Sequence, residues 1–281
     1  MSITEQLIHN TVRIESFFEE GTGTGTGFFF EFEIDDKKVP CIVTNKHVIR
    51  DPKLGDAQKG KIIFKLRNPK DEWDVGQNFT VDIDNFAKSW IMHPDVNVDL
   101  CIYPIAPLLS EISKKGKNPF FISIPESLIP TKSDEDEFTA LEEILMVGYP
   151  NGIWDQKNNL PILRKGITAT HISHDYNGRE EFLIDAACFP GSSGSPVFLL
   201  NLNGYSDKKG NTILGGVRIK FLGVLYAGPQ HTASGDIEII DVPTIQKPVS
   251  LITIPNNLGF IIKSRKIQEF KKVLNDLINN K

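Results

Sequence analysis

Apolar and polar residues alternate over short stretches of this chain, and the alternation has the period of two that marks half-buried strands. Phe28-Phe29-Phe30-Glu31-Phe32-Glu33-Ile34 is aromatic and partly alternating, and Val39-Pro40-Cys41-Ile42-Val43-Thr44 follows the polar turn Asp35-Asp36-Lys37-Lys38. The pair predicts a hairpin. Further strands are expected over 61–66, 79–83, 100–103, 144–147, 166–171, 181–185, 197–200, 221–225 and 260–262. Many short strands separated by Gly and Pro turns predict an all-β protein of sandwich or barrel type.

Two regions break the pattern. Residues 109–140 are rich in Lys, Pro, Ser and acidic residues and read as a linker between two β units. Within it the charge run Lys132-Ser133-Asp134-Glu135-Asp136-Glu137 is expected to be a solvated loop. In residues 263–281 the apolar positions Ile267, Phe270, Val273, Leu274, Leu277 and Ile278 follow helical spacing. They predict one amphipathic helix docked on the last β unit. The expected organisation is a single domain over 1–281, with β units at about 10–108 and 141–262.

Composition narrows the functional classes. A chain of 281 residues can form one all-β domain with a substantial core. The net charge of −5 and pI of about 5.7 give no overall attraction to nucleic acid or to an anionic membrane. No apolar run reaches the roughly 18–20 residues needed to span a bilayer. The first residues lack the basic start, apolar core and small-residue cleavage site of a signal peptide. The cysteines Cys41, Cys101 and Cys188 are odd in number and sit in apolar runs, so buried thiols in a reducing compartment, the cytoplasm, are expected.

A serine hydroxyl becomes a useful nucleophile only beside a base, usually His, that a carboxylate orients. It also needs backbone N–H donors aimed at the developing oxyanion, which a tight Gly-containing turn can supply. Pro190-Gly191-Ser192-Ser193-Gly194-Ser195-Pro196 is such a turn, placed between the apolar run 182–189 and a predicted strand. Other motifs are poorer. The run Gly21-Thr22-Gly23-Thr24-Gly25-Thr26-Gly27 lacks the Gly-Lys-Ser/Thr ending of a phosphate loop and leads into a strand. His171 and His174 offer two metal ligands without an evident third, so no metal or cofactor is expected.

The turn at 190–196 resembles the Gly-x-Ser-Gly-Gly-Pro signature of chymotrypsin-like serine proteases, in particular the bacterial HtrA-type branch with its Pro-Gly-Asn-Ser-Gly-Gly-Pro. Ser195 stands where that family usually has Gly. Thr44-Asn45-Lys46-His47-Val48 resembles the family's Thr-Asn-x-His-Val segment, and Gly25-Thr26-Gly27-Phe28 its Gly-Ser-Gly-Phe strand. Asp99 precedes the apolar run Leu100-Cys101-Ile102 as the family's Asp precedes its strand, with Asp95 as a second candidate. Val147-Gly148-Tyr149-Pro150-Asn151-Gly152 and Gly259-Phe260-Ile261-Ile262 resemble HtrA-type segments as well, so the likeness runs from Thr11 to Ile262.

The resemblance implies a trypsin-like double barrel, two six-stranded antiparallel β-barrels with the site at their seam, followed here by the C-terminal helix. It implies a serine endopeptidase, without a PDZ domain, that uses His47, Asp99 and Ser193 as its triad and the Gly191 and Ser193 amides as its oxyanion hole. Ala187, six residues before Ser193, would form the base of the specificity pocket. Tyr226, Ala227 and Gly228 would bind substrate backbone, and small or medium apolar side chains would be preferred before the scissile bond. Ser192 occupies the place of the activation Asp of zymogen-type members, so control by loop ordering or an activating partner protein is expected instead of N-terminal trimming. Protein or peptide is the expected substrate. A catalytically silent protease-fold protein that binds peptides or partners is the alternative, and a conditional effector of stress or phage defence is a further possible role.

Overall fold

The computed structural model describes residues 1–233 and 252–279. A short helix, α1 (Ile3–Leu7), leads into β1 (Thr11–Phe18), β2 (Gly21–Ile34) and β3 (Lys37–Thr44). After the one-turn helix α2 (Lys46–Ile49) come β4 (Lys59–Arg67), β5 (Trp73–Asp84), β6 (Ile91–Met92) and β7 (Cys101–Pro104). These strands, with β8 (Pro119–Phe120), hydrogen-bond in the order β8-β4-β1-β2-β3-β7-β6, and β5 pairs with β4. The short strand β9 (Ile124–Pro125) adds in parallel to β2.

The second half is β10 (Glu143–Gly148), β11 (Ile162–Thr168), β12 (Glu181–Asp185), β13 (Pro196–Asn201), β14 (Arg218–Ala227) and β15 (Leu258–Lys263). They close into a six-stranded barrel in the order β10-β11-β12-β15-β14-β13. The fold is mostly β, with one closed barrel and a C-terminal helix. Of the two barrels expected, hydrogen-bonded closure is found for the second. The first half is a nine-stranded sheet whose path, among the described residues, runs open from β8 to β6.

The aromatic run in β2 explains why the halves stay together. Phe28, Phe30 and Phe32 point to one face and are fully buried against Val147, Phe198, Phe221 and Val224 of the barrel. Phe28 meets Phe221 edge-on at 5.3 Å. Phe29 points the other way, into the first sheet's own core with Ile14, Ile42 and Phe64. β2 is therefore buried on both faces, and its clean alternation is lost for that reason. The barrel interior is a third cluster around Met146, Phe182, Val197 and Ile261.

The expected linker carries more structure than its composition suggested. It contains α3 (Ala106–Lys114) and α4 (Lys132–Glu137) as well as β8 and β9. The charge run is not a solvated loop. Thr131 and Asp134 form a reciprocal cap at the start of α4. Asp134 also binds Lys220 at 2.7 Å, and Glu135 lies 3.5 Å from Arg265.

The C-terminal segment begins as a 3-10 turn, Ser264–Glu269, and becomes α-helical as α5 (Phe270–Asn279). Ile267, Phe270 and Leu274 enter the core cluster shared by both halves, not the barrel alone. Residues 280–281 of the expected helix lie outside the described residues. Among the described residues no helix is long and apolar enough to cross a membrane.

Candidate active site

His47 is positioned by a short path from the core. β3 ends at Thr44, and α2 starts two residues later. Gly25 lets the helix press on β2, because a Cβ there would lie 2.5 Å from Val48. Asn45 occupies the N-cap position of α2 but makes no capping bond. Its amide instead donates to the Asp99 carbonyl at 2.7 Å.

Asp99 receives His47 twice. The His47 backbone N–H donates to Oδ1 at 3.1 Å, and the ring Nδ1 lies 2.5 Å from Oδ2. A carboxylate on Nδ1 fixes the proton there and leaves Nε2 as the acceptor. Asp95, the second candidate, is spent on its own turn, accepting from the Asn97 backbone at 2.9 Å and its amide at 3.2 Å.

The loop leading to Asp99 is clamped from two sides. The Lys46 ammonium donates to the carbonyls of Asp95 at 3.0 Å and Val96 at 3.3 Å. His93 is buried, and burial holds its pKa below the ordinary value. Its Nδ1 accepts the Asp95 N–H at 3.1 Å, so Nε2 carries the proton and donates to the Lys266 carbonyl at 2.9 Å. From the sequence Asn45 has no role of its own and His93 reads as a loop residue. Asn45 was visible inside the Thr-Asn-x-His-Val segment, whereas nothing local marks His93.

The turn that carries Ser193 is held chiefly through its backbone. The Pro190 carbonyl accepts from the Asn151 amide at 2.5 Å, and that of Ser192 accepts from Ser195 at 3.0 Å. The Gly191 carbonyl accepts from the Thr26 hydroxyl at 3.0 Å, and that of Ser193 from the Thr26 amide at 2.9 Å. The amides of Ser192, Gly194 and Ser195 are also engaged, by Phe189, Leu225 and Ser192 respectively. Among the described residues the Gly191 and Ser193 amides donate to no protein acceptor, and these are the two expected in the oxyanion hole.

Gly191 and Gly194 have φ of 84° and 87°, which L side chains rarely adopt. At Gly194 a Cβ would also fall on the Thr26 carbonyl oxygen. Among the described residues, no hydrogen bond joins the Ser193 hydroxyl to His47. Such contacts are often long before substrate binds.

Ser193 opens onto a cleft of about 110 Å³ lined by Cys188, Phe189, Pro190, Leu225, Ala227, Gly228 and Pro229. Ala227 and Gly228, expected to bind substrate backbone, line this cleft. Ala187 and Tyr226 do not line the cleft. The Ala187 carbonyl is taken by the Arg164 guanidinium, which also lies over the Phe189 ring at 4.8 Å. The Tyr226 hydroxyl reaches back to Glu181 at 3.0 Å. Cys188 lines the wall in place of Ala187, its thiol pushed up to about 11 by burial and so neutral.

A family model for the trypsin-like peptidase domain matches residues 25–203, well over half of the chain. The chain belongs to the trypsin-like peptidase family. One solved structure supports the fold, and two others are similar to a lower degree. The HtrA-type protease AlgW, bound to a tripeptide, is 14% identical with a TM-score of 0.50, over 98% of this chain and 62% of that one. The serine endoprotease from Yersinia pestis is 13% identical with a TM-score of 0.48, over 97% and 65%. The Rv3671c protease from M. tuberculosis, active form, is 14% identical with a TM-score of 0.45, over 96% and 83%. This trypsin-like chain thus spans less than two thirds of the length of the first two. No curated protein matches it.

Proposed function

We propose that this chain is a serine endopeptidase in which Ser193 is the nucleophile, His47 the general base and Asp99 the residue that orients it. The observation that carries the reading is the doubly bonded His47–Asp99 pair, at 3.1 and 2.5 Å, in a chain whose Ser193 lines a cleft.

In this reading a peptide carbonyl enters the cleft beside Ser193. His47 Nε2 takes the hydroxyl proton as Oγ attacks, and Asp99 stabilises the imidazolium that forms. The negative charge on the tetrahedral oxygen falls between the Gly191 and Ser193 amides. His47 then returns the proton to the leaving amine, and water repeats the sequence on the acyl-enzyme. The apolar, uncharged walls support a preference for small or medium apolar side chains before the scissile bond. The main chain of residues 226–228 would pair with the substrate as an added strand.

The three cysteines are free and buried, which suits a reducing compartment, and we place the enzyme in the cytoplasm with an activating protein partner. The test is cleavage of a peptide library by the purified chain and by Ser193→Ala. Cleavage after apolar residues by the first and none by the second is expected. Equal activity in both would reject Ser193, and a preference for Arg or Lys would reject the assigned pocket.

A further inference from the structure

Zymogen-type relatives are expected to tie down the oxyanion turn through an Asp just before the nucleophile. Here Ser192 stands in that place, and its hydroxyl is buried without a hydrogen-bond partner. Something else must hold the turn. The only side chain outside the turn that donates to its carbonyls, among the described residues, is Thr26. Its hydroxyl is engaged both as donor and as acceptor. It donates to the Gly191 carbonyl at 3.0 Å and accepts the Tyr149 amide at 3.0 Å. The Thr26 carbonyl is fixed in turn by the Thr44 hydroxyl at 2.7 Å, three residues before His47.

A trans peptide points its C=O and N–H to opposite sides. The Asn151 amide holds the Pro190 carbonyl, so the Gly191 N–H is turned away from the 149–152 segment. Thr26 holds the next carbonyl, that of Gly191. With both planes fixed, Gly191 cannot swing its N–H out of the hole. Residues Tyr149 and Asn151 act together here: the first anchors the Thr26 hydroxyl, and the second, at φ 50°, presents its amide to Pro190.

We propose that Thr26 is a positioning residue for the oxyanion hole, acting with the Asn151 amide through the two carbonyls that flank Gly191. The proposal rests on the protease reading. It makes the junction between the halves, not residue 192, the element that sets whether the hole is formed. An activator or inhibitor that shifts the 149–152 segment would act through the same bonds.

The test compares wild type with Thr26→Val, which keeps shape and removes the hydroxyl, Thr26→Ser, which restores it, and Thr24→Val, an exposed neighbour on the same strand. Readouts are kcat, KM, and affinity for a peptide boronate, which forms a tetrahedral oxyanion, against affinity for a cleaved product peptide. Thr26→Val is expected to lower kcat by roughly 10- to 100-fold, somewhat less than direct removal of an oxyanion donor. Boronate affinity should fall in step, with KM and product affinity within about twofold, and Thr26→Ser should recover most of the loss.

If Thr26→Val does not accumulate folded, Asn151→Val and Asn151→Gly carry the test: the first disfavours the left-handed backbone at 151 and should lower kcat, and the second retains it. An active wild type with unchanged kcat in Thr26→Val, or with equal losses of boronate and product affinity, overturns the inference alone. A wild type that neither cleaves peptides nor binds the boronate removes the protease reading and the inference with it.

Discussion

The two halves of the molecule supply the site in different ways. The open sheet contributes side chains: His47 is held by Asp99, and the Asp99 loop by Asn45, Lys46 and His93. The closed barrel contributes a turn whose working groups are one hydroxyl and two amides without a protein acceptor among the described residues, and whose remaining amides and the carbonyls of Pro190, Gly191, Ser192, Ser193 and Ser195 are hydrogen-bonded. An acid–base pair needs a particular proton on a particular nitrogen, which only side-chain partners can set. An oxyanion hole needs fixed dipoles, which a pinned backbone supplies with no reorganisation during reaction. The barrel's closure gives the turn a rigid base, while the sheet carries its His and Asp on short segments at the ends of the adjacent strands β3 and β7, anchored one bond at a time.

If this contrast is right, damage to each half should have its own signature. Asp99→Asn should cost most, about 10⁴-fold in kcat, because the amide no longer selects the His47 tautomer. Thermal stability should hardly move, which kinetics alongside calorimetry would show. Gly194→Ala should cost roughly 10³-fold, with a clear fall in Tm, since the added Cβ collides with the Thr26 carbonyl and the backbone sits at φ 87°. A fully active Gly194→Ala protein would mean that the turn is not pinned as described.

His93→Phe keeps a planar ring, slightly larger, and removes both ring hydrogen bonds. It should lower kcat by about tenfold with KM unchanged, through loosening of the Asp99 loop.

The smallest effect on activity is expected at Lys65, which belongs to the sheet but not to the site. Lys65 is buried with one acceptor, the Ile8 carbonyl at 3.1 Å, and burial lowers its pKa from 10.5 to about 7. The unfolded chain therefore binds the extra proton between those two values, and stability should rise as pH increases from about 7 to 10.5. Lys65→Met should remove that rise and give a Tm a few degrees above wild type near pH 7, with activity unchanged. His9 adds a lower window, because burial takes its pKa from 6.5 to about 4. Parallel Tm-against-pH curves for wild type and Lys65→Met would show that Lys65 does not carry this linkage.

Much of the fold was readable because strand alternation is local. The hairpin of β2 and β3 and all six barrel strands follow from it, with ends shifted by a few residues. β1 (Thr11–Phe18) was not among the strands expected, because the first residues were weighed only against a signal peptide. Closure of one sheet and not the other depends on which edges meet, and no single segment records that.

His47, Asp99 and Ser193 could be singled out as chemistry-bearing residues with recognisable neighbours. Thr26 could not be given its role, because its bond to Gly191 joins residues 165 positions apart and depends on the orientation of a peptide plane. The same reason explains Ala187 and Cys188. Counting back from the nucleophile gives Ala187, whose carbonyl is taken by Arg164, while its neighbour Cys188 lines the cleft.

The central claim is that Ser193, activated by His47 next to two free amides, is the nucleophile. The most direct measurement is peptide mapping by mass spectrometry after treatment with a fluorophosphonate. The account predicts one adduct, on the peptide containing Ser193, absent from His47→Ala and unaffected by Ser192→Ala. An adduct on Ser192 or Ser195, or labelling that persists without His47, would contradict it.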